Sequence, residues 1–361
     1  MKKFLALSLM GLASAGAFAQ YFPLDSLIVA STAVYGTGTG LFGPGTGVNA
    51  NLLSFSYDGG TLESSPGIQR SFSLGSNFVV SNSATSEAGI NSSTNSLSMA
   101  GYFAPNGTAN VAAGLSDRGV RTFRNVNGGV SSALFIHGEY RGGSVRSSFA
   151  EGGPWIYTAG TGNEGGWRVL DFTEGKSNQF GETTDTRVIK VINKKVYGST
   201  GPATGNGGAG VYDLNNGYPI AVALSASPYD FDIVADGANT YAVIADDSSL
   251  ANGGGLKVYL NGSLVKTFAA TGLRNFAIRR ADAGFEIFGI TGASTGGATN
   301  ELSKLIINYG TLATSTNTFS VIATSAPNTW FRGVEVVPEP ASMAVLGIGL
   351  AGLAARRRRN K

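Results

Sequence analysis

The chain has no cysteine among its 361 residues. That excludes disulfide staples and thiolate metal sites, so stability has to come from core burial and sheet hydrogen bonds. It has a single histidine, His137, in "ALFIHGEYRGG". Metal and general-acid sites recruit several ligating or titratable groups, so His137 reads as a polar residue at a strand end beside Gly138. Charged residues amount to only 14%. Between Gln20 and Pro338 no stretch shows a capped 3.6-residue period, which predicts almost no helix.

What is abundant is glycine, at 53 positions, beside 42% hydrophobic and 10% aromatic residues. The apolar share is too high for a disordered chain, so there is a core to bury. The net charge of +3 and the pI near 9.0 come from the two ends. Removing Lys2, Lys3 and the five basic residues between Arg356 and Lys361 takes 26 basic residues to 19, and removing Glu339 takes 23 acidic ones to 22. A body near −3 offers no case for a nucleic-acid partner.

Residues 1–20 read "MKKFLALSLMGLASAGAFAQ": two lysines, an apolar stretch, then Ala17 and Ala19 flanking Phe18. These are the three parts of a secretory signal peptide over residues 1–19, cut before Gln20. At the other end the apolar run from Ala341 to Ala355 spans 15 residues and is followed by Arg356, Arg357, Arg358 and Arg359. It falls short of the roughly 20 residues of an ordinary membrane helix, so it suits a temporary anchor better than a permanent one. The arginines stop transfer and keep residues 356–361 on the cytoplasmic side of the inner membrane.

Val337-Pro338-Glu339-Pro340, the short apolar segment and the terminal arginine cluster together resemble the PEP-CTERM sorting signal of Gram-negative bacteria. The resemblance implies that Pro338, Glu339 and Pro340 form the processing motif of an exosortase, a membrane protease. It further implies a single membrane helix over 341–355 before processing. The body, 20–337, would then end at the cell surface or in the extracellular matrix of a biofilm-forming, exopolysaccharide-producing bacterium. A plain tail anchor is the alternative.

The middle repeats one unit: an apolar strand with an aromatic, a Gly/Ser/Thr/Asn-rich loop, an alternating strand, a tight turn and a third strand. The clearest copy is Thr240 to Phe268, with others at 155–180, 195–224, 285–310 and 33–60 and a looser one at 97–129. Alternation such as Leu256-Lys257-Val258-Tyr259-Leu260 predicts one face on a core and one in solvent. Asn261-Gly262, Asn216-Gly217, Asp58-Gly59 and Asn127-Gly128 supply hairpin turns. A further strand precedes four of the units, at Val145–Phe149, Arg187–Ile192, Phe231–Val234 and Asn275–Arg279.

Four antiparallel strands at this spacing predict an all-β chain, a β-propeller of six four-stranded blades, or seven if Phe72 to Asn82 hides another hairpin. The first unit has only Leu27 to Val29 before it, and Thr329 to Val337 is the strand expected to complete that blade and close the ring. A β-solenoid and a two-domain β-sandwich are the rivals. The stretch from Ser86 to Val111, with "RGVRTFRNVNG" and "VRSSFAEGGPWIYTAGTG" after it, is similar to a bacterial exported propeller-like family without a settled activity.

No catalytic, cofactor or metal site emerges. Asp230, Asp232, Asp236, Asp246 and Asp247 cluster in sequence, but counting from Asp230 puts Val234 and Ala235 where a calcium loop needs an oxygen ligand and glycine. Asp236-Gly237 reads as a turn and Asp246-Asp247 as a solvated strand end. Trp155, Trp167 and Trp330 read as filling between sheets rather than as sugar platforms. The expected role is a non-enzymatic structural, adhesion or polysaccharide-associated protein, with exopolysaccharide or matrix proteins as partners. The alternative is a hydrolase or lyase using carboxylates at the propeller mouth. Carboxylates converging in one place favour the alternative, and turn-bound acids favour the first.

Overall fold

The computed structural model describes residues 26–337 except 34–42, 56–67, 84–88, 94–95, 115, 125–128, 135–137, 151–153, 172, 182–184, 202–207, 216–219, 282 and 293–298. Its strands begin with β1 (Leu27–Ala33), β2 (Gly47–Phe55), β3 (Ile68–Ser73), β4 (Val79–Ser81), β5 (Ile90–Ser92), β6 (Ser96–Phe103), β7 (Asp117–Arg124) and β8 (Gly129–Leu134). Next come β9 (Val145–Ala150), β10 (Trp155–Gly160), β11 (Trp167–Asp171), β12 (Lys176–Phe180), β13 (Thr186–Ile192), β14 (Lys195–Thr200), β15 (Gly210–Asp213) and β16 (Ile220–Leu224). The last are β17 (Pro228–Asp236), β18 (Asn239–Asp246), β19 (Gly255–Leu260), β20 (Ser263–Phe268), β21 (Phe276–Ala281), β22 (Gly284–Gly292), β23 (Asn300–Asn308), β24 (Ser320–Thr324) and β25 (Thr329–Val336). Among the described residues the helical segments are two short 3-10 turns, Leu250–Asn252 and Tyr309–Thr314.

Strands β9–β12, β13–β16, β17–β20 and β21–β24 form four antiparallel four-stranded sheets, each in chain order. The remaining nine strands make one larger sheet with two runs, β25-β1-β2-β3 and β5-β6-β7-β8, joined by β4, which pairs with β2 and meets β6 at Val79 and Tyr102. Phe72 to Asn82 therefore holds the end of β3 and all of β4, which pair with other strands and not with each other, so no extra hairpin lies there. Leu27 to Val29 begins β1, the second strand of its run, and the first place is taken by β25. The expected pairing of the C-terminal strand is found, with Leu27 opposite Val336 and Thr32 opposite Trp330.

The first strands of successive runs pack on one another: β5 on β9, β9 on β13, β13 on β17, β17 on β21, β21 on β25, and β25 on β5. The apolar residues sort into six clusters, each shared by two neighbouring runs. In β18, Tyr241, Val243 and Ala245 enter the cluster shared with β21–β24, while Ala242 and Ile244 enter the one shared with β13–β16. Both faces are covered. The expectation of one solvated face fails for β19 as well: Leu256 and Val258 face one core, Tyr259 the other, and Lys257 is buried. Sheets flanked on both sides need apolar residues at both phases of the period-2 repeat, which is why "YAVIA" is continuous. Hairpin chemistry is as expected at Asn261-Gly262, where both residues take positive φ (49° and 84°).

Candidate functional site

Charged side chains gather where the first strands meet. Along β17, Phe231 and Ile233 enter the core shared with β13–β16, so period-2 alternation turns Asp230 and Asp232 the other way. Asp230 accepts hydrogen bonds from the N–H groups of Phe231 (2.8 Å) and of Phe276 on β21 (3.1 Å). It also pairs with Lys190 Nζ of β13 at 2.7 Å. Lys190 Nζ lies 5.9 Å from the ring centre of Phe231 and 5.7 Å from that of Phe276. Asp232 accepts from the N–H of Ile233 at 2.7 Å. Glu335, near the end of β25, accepts from the N–H of Val336 (3.1 Å) and from the N–H of Ser92 on β5 (3.2 Å).

Lys190 and Asp230 are buried, whereas Asp232 and Glu335 keep partial exposure. Burial raises the Glu335 carboxyl to about 7; Lys190 pulls it back down and Asp232 adds to the rise. Burial also lifts Asp232 above the usual carboxylate range despite Lys190. For Lys190, burial disfavours the ammonium, but Asp230, Asp232 and Glu335 outweigh it and the pKa is raised. Arg280 of β21 is the other cation acting on Asp232. The result is a permanent cation beside a carboxyl that exchanges its proton near neutral pH.

Neighbouring β5 and β9 contribute uncharged groups: Asn91 Nδ2 donates to Ser147 Oγ (3.0 Å) and to the Ser148 carbonyl (2.6 Å). A second network lies at the start of β17. Asp246, expected at a solvated strand end, is fully buried and pairs with Lys257 at 2.8 Å. Arg187 (3.3 Å) and Arg274 (3.1 Å) both pair with Asp247, and both guanidinium groups lie over Tyr229. Asp247 ties Arg187 of β13 to Arg274 ahead of β21, whereas Asp246 pairs within its own sheet, since Lys257 lies on the adjacent β19.

The sequence singled out Asp230 and Asp232 only as a failed calcium loop and passed over Lys190 and Glu335. The overlooked signal was a charge at an inner phase of each apolar strand, in "RVIKVI", "YDFDIV" and "GVEVV". Asp236 ends β17 beside Gly237 at φ 58°, the expected turn. Trp167 and Trp330 are fully buried, and Trp167 meets Tyr212 of the next sheet at 5.8 Å. Trp155 departs from expectation and is 46% exposed. No group of three or more metal-ligating side chains occurs among the described residues. His137, Ala17, Ala19, Gln20, Pro338, Glu339, Pro340 and Arg356 to Arg359 lie outside them, as does the 341–355 segment. Among the described residues no helix is long and apolar enough to cross a membrane.

Strand content and pairing define an all-β protein built of four-stranded antiparallel sheets. Residues 336–359 match the PEP-CTERM protein-sorting motif. That motif implies processing by an exosortase, a membrane protein, and a destination at the surface or outside the cell. No curated protein matches the chain. Among solved structures, a "putative 6-phosphogluconolactonase" from Bacteroides uniformis is similar over 83% of this chain and 83% of its own, at 13% identity and a TM-score of 0.42. A likeness that distant carries neither activity nor ligand across.

Proposed function

We propose that the body is a six-bladed β-propeller which, once exported and sorted, serves at the cell surface or in the matrix by binding exopolysaccharide at its axis. The cyclic order of first-strand contacts and the six shared cores support the ring. The ligand reading rests on one observation: Lys190, Asp230, Asp232 and Glu335 converge from three different strands with two of the carboxyls partly open to solvent. Ionised and neutral carboxyls beside an ammonium offer both acceptors and donors to sugar hydroxyls. Trp155, exposed at the start of β10, offers a stacking face.

A second reading, a hydrolase or lyase on the same carboxyls, is favoured by their convergence in one place, the mark expected of an enzyme, and by Glu335 titrating near 7, where it can give and take a proton. Affinity electrophoresis through gels containing the producing cell's exopolysaccharide tests the first reading. Asp232→Asn and Trp155→Ala are expected to weaken retardation on the order of ten-fold, about the loss of one good contact. Unchanged retardation in both rejects it. New reducing ends or unsaturated sugar products, lost in Glu335→Gln, select the second reading.

Intact mass of the protein from envelope and medium, beside Glu339→Ala, tests the sorting route. A mass ending near Pro338 that is lost in the variant is expected. Retention of Arg356 to Lys361 in both means a plain anchor.

A further inference from the structure

The match to the sorting motif begins at residue 336, inside the strand that completes the first sheet. Val334, Glu335 and Val336 are paired with Val29, Ile28 and Leu27 of β1. Beyond the strand, the Val337 N–H donates to the Ser26 carbonyl at 3.0 Å, and the Val337 side chain is 3% exposed in the core between the first two runs. On its other side β25 packs against β5 and β21, and Glu335 is held by the Ser92 N–H. The folded body therefore reaches to within one residue of Pro338, with no stalk between.

A protease that reads an extended peptide binds it as an added strand, through the backbone N–H and C=O groups on the upstream side of the cut. Four residues in that form span about 13 Å, which here means residues 334–337. Those are the groups already committed to β1 and Ser26. We propose that tail processing and docking of β25 compete for residues 334–337, so that the tail is cut before β25 docks or while it is peeled away. Hydrolysis at the motif places the hydroxyl of water on the carbonyl carbon and its proton on the leaving amine, and the freed end then seats in the sheet. Because Glu335 travels on β25, the axial cluster is completed in the same step.

This rests on the sorting reading above. The test is pulse–chase of the full chain in the producing cell, with tail loss followed by intact mass. Leu27→Cys with Val336→Cys ties β1 to β25, unambiguously because the chain has no other cysteine. A Gly/Ser linker of about eight residues between Val337 and Pro338 supplies the missing reach, roughly 15 Å as a random coil.

Tail loss at least ten-fold slower in the tied chain, restored by reduction or by adding the linker, is expected. Trp330→Ala, which loosens β25, is expected to process faster than wild type. Wild-type rates in the tied chain without the linker overturn the proposal alone. A wild-type chain that keeps its tail overturns the sorting reading and this proposal with it.

Discussion

A handful of buried polar residues set the pH response. Glu335 titrates near 4.5 when unfolded and about 7 when folded, so between those values the native state holds a proton that the unfolded chain has released. Its contribution to stability is complete below 4.5 and declines as pH rises through 7. Glu335→Gln cannot ionise and is expected to be more stable than wild type to urea at pH 8, by about 1–3 kcal/mol in unfolding free energy, and nearly the same at pH 5. An identical difference at both pH values counts against it.

Asp246 behaves oppositely. Burial works to raise its pKa, but hydrogen bonds from Lys257, Ser225 and Ser248 hold it well below the usual carboxylate range, so its contribution is present above about 3.8 and lost in acid. Lys257→Met leaves that carboxylate buried without its cation and is expected to cost about 3–5 kcal/mol in chemical denaturation. Gly198 is a packing constraint: a β-carbon there would sit 2.3 Å from Trp167 Nε1, whose ring is rigid and fully buried. Gly198→Ala should cost about 1–3 kcal/mol and shift the tryptophan emission to the red.

Among elements, β25 has the largest consequences for its length. It supplies the first strand of its run, contributes Phe331 and Val334 to the core shared with β21–β24, and brings Glu335 to Lys190, Asp230 and Asp232. Trp330, fully buried on it, is expected to cost about 3–5 kcal/mol on truncation to alanine, read from calorimetric unfolding. The three-residue β5 is its counterpart on the second run: Asn91 ties it to β9, and Ser92 ties it to β25. Sequence reasoning found the four long leading strands from their apolar runs but not β5, because "INS" carries too few residues for a period to register. The hairpin at Asn261-Gly262 was legible because its turn chemistry is local; the turns expected at 58–59, 127–128 and 216–217 lie outside the described residues. The coverage of both faces was not legible, because it depends on which sheet comes next.

At the level of the whole molecule, most strand pairing is local, but β25 with β1 joins opposite ends of the chain. Closing so long a loop is expected late in folding, because its entropy is repaid only when the final contacts form. With no cysteine, the fold relies on shared cores, and a reducing agent should leave the thermal midpoint unchanged. A midpoint that moves with dithiothreitol would contradict this account.

The sequence by itself determined the all-β character, the repeat, the strand that pairs with β1 and the sorting motif, because each is written in neighbouring residues: alternation, turn chemistry and the ordered elements of the tail. Only the tertiary structure decided that Lys190, Asp230, Asp232 and Glu335 meet, and that Asp246 is buried against Lys257. Residues 190 and 335 lie far apart along the chain, and a charge in an apolar strand acquires its role only from the strands that surround it. The same holds for Val337: its sequence places it beside the motif, but the Ser26 carbonyl and the core around it make it part of the body.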